Sequence, residues 1–279
     1  MASVQRLRIF PLQNYTSRAT LPHGPRDEVN MIPMTGKRVV VTGAGGGIGQ
    51  ALVRRFAEAG AAVVGCDLPG MDLSALPVAE TEAFDIADRA ATLAAAEAIA
   101  ARGAPDVVIS NAGLTRAETM EMTGADEIEG ELALNYTGAA HFTRALLPHM
   151  GAGAAFVFVA SVNGLAHFGN PAYSAAKGAL IAWNRALATE AGARGIRSNA
   201  VAPGSVRTPA WDHRMARDPA LTERVSGLYP LGRLVTPEEV AEAVLFLASP
   251  MASGITGVTL PVDAGLMGGN MPFIRMIGG

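Results

Sequence analysis

Thr42-Gly43-Ala44-Gly45-Gly46-Gly47-Ile48-Gly49 stands between two stretches of different period. Before it, Lys37-Arg38-Val39-Val40-Val41 is a short β-branched run of the kind that forms a buried parallel strand. After it, Ile48, Leu52, Val53 and Phe56 recur at helical spacing, and Gly60 ends the pattern. Glycines in a strand–helix turn let the backbone bend tightly and approach a ligand. The free N–H groups of the helix start then face a pyrophosphate. Glycines alone mark any flexible turn; strand, turn and helix together point to a dinucleotide site.

The spacing Thr-Gly-x-x-x-Gly-Ile-Gly, in place of Gly-x-Gly-x-x-Gly, resembles the short-chain dehydrogenase/reductase family. The resemblance assigns Gly43, Gly47, Ile48 and Gly49 to the cofactor. Strand two, Ala61 to Asp67, ends in a carboxylate 18 positions after Gly49. An acid there accepts hydrogen bonds from the adenosine ribose hydroxyls and repels a 2′-phosphate, so the expected cofactor is NAD. Without the glycine turn, Asp67 would read as a solvated loop residue. Asp85-Ile86 resembles the family's pair bordering the adenine, and Asn111-Ala112-Gly113 its element lining the cofactor after the fourth strand. Pro203-Gly204, Val206 and Thr208 match the exit from the sixth strand, where the family meets the nicotinamide carboxamide.

Tyr173-Ser174-Ala175-Ala176-Lys177 places a phenol and an ammonium one helical turn apart. A phenol of pKa about 10 is a poor base near neutrality. A cation favours the phenolate, so Lys177 and a positively charged nicotinamide are expected to lower it. Ser161 ends the apolar run Phe156–Ala160, placed to hydrogen-bond a substrate oxygen. Asn135, on the long helix before it, resembles the family's asparagine that holds a water linking the lysine to solvent. Singly, these residues read more plainly: a chance Tyr/Lys face, a turn serine, a core amide. Their order, Asn135, Ser161, Tyr173, Lys177, is what implies catalysis. The Ser161–Tyr173 interval is one residue shorter than in many members, and Ala264 stands where glycine is usual.

Alternation of strands with Ala-rich helical stretches predicts an α/β doubly wound parallel sheet (Rossmann fold) of about seven strands, helices on both faces. With 279 residues, 49% of them hydrophobic, and motifs from end to end, residues 34–279 read as one catalytic domain. Residues 1–33, with four arginines and prolines at 11, 22, 25 and 33, read as a loose extension; they faintly resemble a transit peptide without its amphipathic helix. A net charge of −3 offers no basic field for nucleic acid. The single cysteine, Cys66, excludes an internal disulfide and reads as a buried, inert thiol. The five histidines have no metal-ligand spacing, and no apolar run reaches the roughly 18 residues of a membrane span. A cytoplasmic enzyme without a metal is the simplest fit.

By resemblance, Pro209–Leu231 is the variable lid. Trp211, His213, Arg214, Met215 and Tyr229 are its candidate substrate contacts, with Asn163, Leu165 and His167 opposite. This mixture suits a small polyol, sugar or hydroxy acid, as secondary alcohol or ketone. A 3-ketoacyl-thioester reductase is the alternative. A non-catalytic NAD-sensing regulator is a further rival, disfavoured because Tyr173 and Lys177 are both present. The resemblance also implies a homotetramer, packed through the Asn135 helix and the helix Ala172–Ala191, whose small residues permit close approach.

Overall fold

The valine run forms β1 (Arg38–Thr42), an interior strand of the sheet. It is flanked by β2 (Ala62–Asp67) and β4 (Val107–Ser110). The computed structural model describes residues 32–278 apart from 116, 209–210, 212–217 and 219, and Ile32–Gly279 is one compact unit. The expected extension therefore falls, except for Ile32 and Pro33, outside the described residues. With β3 (Glu80–Ala83), β5 (Ala155–Val159), β6 (Arg197–Pro203) and β7 (Thr259–Val262), the order is β3-β2-β1-β4-β5-β6-β7, every neighbouring pair parallel. The order reverses between β1 and β4. In such sheets a ligand crevice opens at the carboxyl ends of the strands beside that reversal.

The two-residue period of β1 splits the core. Val39 and Val41 face α1 (Gly47–Glu58) and α7 (Pro237–Ala248), together with Leu52, Phe56, Val240 and Leu245. Val40 faces α2 (Arg89–Ala101), α4 (Gly138–Leu146) and α5 (Pro171–Ala191), with Phe142, Phe156 and Leu180. Each fully buried side chain of this size contributes roughly 1.5–3 kcal/mol. Among the described residues the α-helices include α1 and α2, then α3 (Ala125–Leu132), α4, α5, α6 (Leu221–Ser226), α7 and α8 (Met271–Ile277). α7 begins with a Thr236/Glu239 capping box and Pro237. At its other end the Arg197 guanidinium donates to the carbonyls of Leu247, Ala248 and Ser249 at 2.6, 2.9 and 3.0 Å, satisfying acceptors that a helix end leaves open.

Three elements differ from the sequence expectation. The long helix carrying Asn135 is interrupted: α3 and α4 are joined by a π-helical turn, Ala133–Thr137. The acidic β3 was not foreseen, and Glu80 and Glu82 hold that edge through ion pairs with Arg38 and Arg102. After β7 the chain ends in a further short helix, α8.

Candidate active site

The glycine turn forms one end of the cleft. Thr42 Oγ1 accepts the N–H groups of Asn111 and Ala112 at 3.0 and 3.1 Å, tying the tips of β1 and β4 together. Asn111 Nδ2 donates back to the carbonyls of Thr42 and Gly43. A Cβ on Gly49 would stand 1.9 Å from the Gly43 carbonyl oxygen, so only glycine lets α1 start this close to β1. No acid occupies the first turn of α1, leaving its N-terminus suited to an anion. Asp67 holds the neighbouring corner: its Oδ2 accepts from Gly45 N and its Oδ1 from Leu68 N, both at 2.8 Å.

From there a cleft of about 760 Å³ crosses the strand ends. It brings together every residue that the sequence reading assigns to the cofactor: Gly43, Gly47, Ile48, Gly49, Asp67, Asp85, Ile86, Asn111, Ala112, Gly113, Tyr173, Lys177, Pro203, Gly204, Val206 and Thr208. A volume of this order suits a cofactor-sized ligand, and the start of α1 at the glycine turn, with no acid in its first turn, fits a pyrophosphate. Met71 and Leu134 also line it and were not singled out from sequence. Both are apolar residues on irregular or π-helical backbone, where no period betrays a face.

Ser161, Tyr173 and Lys177 line the other end. Pro171 starts α5 after Asn170, whose left-handed backbone (φ 54°) is one that asparagine tolerates. Asn170 N and Nδ2 donate to the carbonyls of Glu118 and Ala117, fixing where α5 enters. Ser161 interacts with the Tyr173 hydroxyl, and its Oγ accepts the Asn163 N–H at 3.1 Å. The buried Lys177 Nζ donates to the Val159 carbonyl at 2.9 Å and lies 5.5 Å from the Tyr173 ring centre.

Burial moves these two groups against expectation. Tyr173 is pushed up to about 12, first by loss of solvent around the phenolate, with Ser161 opposing and Glu131 adding to the rise. Lys177 is brought down to about 8 by burial, and the nearby Glu131 carboxylate counters that fall. Burial thus works against the depression of Tyr173 expected from Lys177. Desolvation outweighs the cation.

Asn135 lies behind the pair, 1% exposed. Its Nδ2 donates to Glu131 Oε2, the Leu114 carbonyl and the Glu131 carbonyl at 2.8, 2.9 and 3.1 Å, while its Oδ1 has no hydrogen-bond partner. Glu131, buried and in contact with Asn135, is the residue that sequence reading missed. Its only signal was a glutamate one turn before Asn135, on a stretch rich in surface acids.

The substrate candidates divide. Asn163 is turned to scaffolding, Nδ2 donating to the Gly169 carbonyl at 2.8 Å and to Ser174 Oγ at 3.2 Å. His167 is exposed and Trp211 half-buried. Neither they nor Asn163 line the cleft. Tyr229 is 3% exposed, and its hydroxyl accepts the Ser205 N–H at 2.9 Å, so it braces the exit of β6. His213, Arg214 and Met215 lie outside the described residues. Among the described residues no group of His, Cys, Asp and Glu could hold a metal, and no helix is long and apolar enough to cross a membrane.

A family model described as enoyl-(acyl carrier protein) reductase matches residues 43–267. An uncharacterized oxidoreductase of Schizosaccharomyces pombe is 41% identical over 247 residues, 87% of this chain and 95% of its own length. Meso-2,3-butanediol dehydrogenase of Serratia marcescens is 36% identical over 241 residues, 82% of this chain and 94% of its own. Among solved structures, an oxidoreductase of the short-chain dehydrogenase/reductase family from Burkholderia thailandensis superposes with a TM-score of 0.78 at 39% identity, covering 87% of this chain and 97% of that one. An NADPH-bound short-chain oxidoreductase with an atypical catalytic centre, from Pseudomonas aeruginosa PAO1, gives 0.79 at 33% identity, covering 84% and 98%.

Proposed function

The chain belongs to the short-chain dehydrogenase/reductase family and is an oxidoreductase, and from that premise we propose that it interconverts a secondary alcohol and a ketone with NAD. The observation that carries this is the meeting of Ser161, Tyr173 and Lys177 at one end of a cleft whose other end is the glycine turn and Asp67. A bound nicotinamide supplies the hydride chemistry. The protein supplies position and protons. In the oxidation direction Tyr173 takes the hydroxyl proton, and in reduction it returns it. Ser161 orients the substrate oxygen and stabilises the charge that develops there. Lys177 binds the ribose hydroxyls of the cofactor and, when charged, favours the phenolate.

The choice of NAD rests on Asp67 in the cleft, followed by Leu68, Pro69 and Gly70 with no base to receive a 2′-phosphate. The NADPH in the Pseudomonas neighbour is a property of that protein. A small polyol, sugar or hydroxy acid is the favoured substrate, in keeping with the butanediol dehydrogenase relative. A ketoacyl thioester is the second reading. It is supported by the apolar side chains exposed on the two loops that Asn170 joins, Met120, Met122, Leu165 and Phe168, and by the family model's description. The test is purified protein offered alcohols, diols, hydroxy acids and ketoacyl thioesters with NAD or NADP, following reduced-cofactor absorbance. No turnover in any class would sink the proposal, and turnover of thioesters alone would favour the second reading.

A homotetramer built through α5 belongs to the same proposal. Ala175 and Ala182 are exposed and Gly178 and Ala179 half-buried on that helix, whereas Ala176 faces the core. A monomer by light scattering at micromolar concentration would refute it.

A further inference from the structure

Lys177 is 3% exposed, and its described hydrogen bond goes to a neutral acceptor, the Val159 carbonyl. Burial disfavours an ammonium in such a place, yet the proposed chemistry needs the charge. One buried carboxylate stands behind it. Glu131, also 3% exposed, lies in the last turn of α3, and α3 packs against α5. Its Oε2 accepts Asn135 Nδ2 at 2.8 Å. Asn135 Oδ1, without a partner, and Lys177 Nζ both border Gly113, 2.6 and 3.2 Å from the point where a Cβ would stand. Glu131, Asn135 and Lys177 thus form a contiguous buried cluster behind Tyr173.

We propose that Glu131 is a positioning residue of this site: its carboxylate helps hold the Asn135 amide with Nδ2 toward α3 and Oδ1 toward Lys177, and its charge keeps the proton on the buried ammonium. The carbonyls of Leu114 and Glu131 share the first task. The second falls to the carboxylate, because the other described elements around Nζ present neutral groups: the Val159 carbonyl from β5, the Asn135 amide from the π-helical turn and the Tyr173 phenol from α5 itself. In agreement, Glu131 is the influence that opposes the burial-driven fall of Lys177 to about 8. The inference rests on the proposed role of Lys177, but its test does not use turnover.

The chain has only two lysines, Lys37 and Lys177. Carbon-13 labelling at the lysine ε position therefore gives two resonances in the full-length, cofactor-free protein. Lys37, exposed and paired with Asp106, serves as internal reference. Lys177 should titrate near 8 in the wild type. In Glu131→Gln its midpoint should fall by about half a unit or more while Lys37 stays in place. Glu131→Asp, with the charge drawn back by one methylene, should give a smaller fall of the same sign. An unchanged or raised Lys177 midpoint in Glu131→Gln overturns the proposal. Should that variant not fold, an unchanged midpoint in Glu131→Asp does so instead. Absence of any alcohol turnover would count against the enzymatic reading alone.

Discussion

The two ends of the cleft are built from different materials. At the glycine turn the ligand surface is backbone: N–H groups, a carbonyl that forbids a side chain on Gly49, and one carboxylate, Asp67. All of it comes from β1, α1 and β2, within 30 residues of sequence. At the Tyr173 end the surface is side chains, delivered from four places in the chain: Ser161 after β5, Tyr173 and Lys177 on α5, Asn135 on the π-helical turn, Glu131 on α3. Close-packed backbone fixes shape, whereas buried side chains set proton affinities. A change at the first end should thus alter what binds, and a change at the second how fast protons move.

The largest effect tests the second end. Tyr173→Phe deletes the proposed proton-transfer group and keeps the ring, so turnover should fall by about 10²–10⁴-fold with NAD affinity kept within a few-fold. Lys177→Ala should harm both turnover and affinity. If the Phe variant kept a tenth of wild-type turnover, the assigned chemistry would be wrong. At the first end, Gly49→Ala should do the reverse. Its Cβ would stand 1.9 Å from the Gly43 oxygen, so the turn must shift. Backbone strain of about 1–3 kcal/mol corresponds to roughly 5- to 150-fold weaker cofactor binding. Calorimetric titration checks this, and unchanged affinity would show that the cradle does not hold the cofactor.

This contrast also explains what the sequence could tell. The glycine turn, Asp67 and the buried strands are local patterns, and the fold class follows from them. Tyr173 and Lys177 are legible because one helical turn joins them. Glu131 is not: a glutamate in Asp126-Glu127-Ile128-Glu129-Gly130-Glu131 reads as solvated surface, and only the packing of α3 on α5 buries it. The π-helical turn escapes for a similar reason, since Ala133–Thr137 continues an ordinary helical composition. β3 is hidden by its acidic residues, which belong to a sheet edge paired with arginines. Tyr229 misleads in the opposite sense. An aromatic in a lid suggests a ligand contact, but its hydroxyl is already engaged with Ser205 N.

A smaller effect sharpens the chemistry of binding. Asp67 presents its carboxylate to the cleft while both oxygens accept backbone N–H groups, which holds it in place. Excluding a 2′-phosphate by about 1.4 kcal/mol gives a tenfold preference for NAD in kcat/KM. Asp67→Ala should bring the two cofactors near parity, mainly by weakening NAD. Steady-state kinetics with both cofactors decides it: a wild type that prefers NADP, or an Ala variant with undiminished preference, would mean that Asp67 does not meet the ribose.

The smallest effect is an absence, one residue before Asp67. Successive side chains on a strand point to opposite faces, so Cys66 turns from Asp67's surroundings into the core beside Phe84 and Phe142. At 1% exposure, and with burial pushing its thiol far up, Cys66 has almost no thiolate at neutral pH. The thiolate is the reactive form. Native protein should therefore give no measurable reaction with an aromatic disulfide reagent over an hour at pH 8. Protein in denaturant should react at its single thiol within minutes. Saturating NAD should leave the native result unchanged, because the thiol is buried in the core with Phe84 and Phe142. Rapid native labelling would mean that the carboxyl end of β2 opens on that timescale. Protection of such labelling by NAD would place the opening at the cofactor end of the cleft, and the rigid, backbone-built surface described there would have to be abandoned.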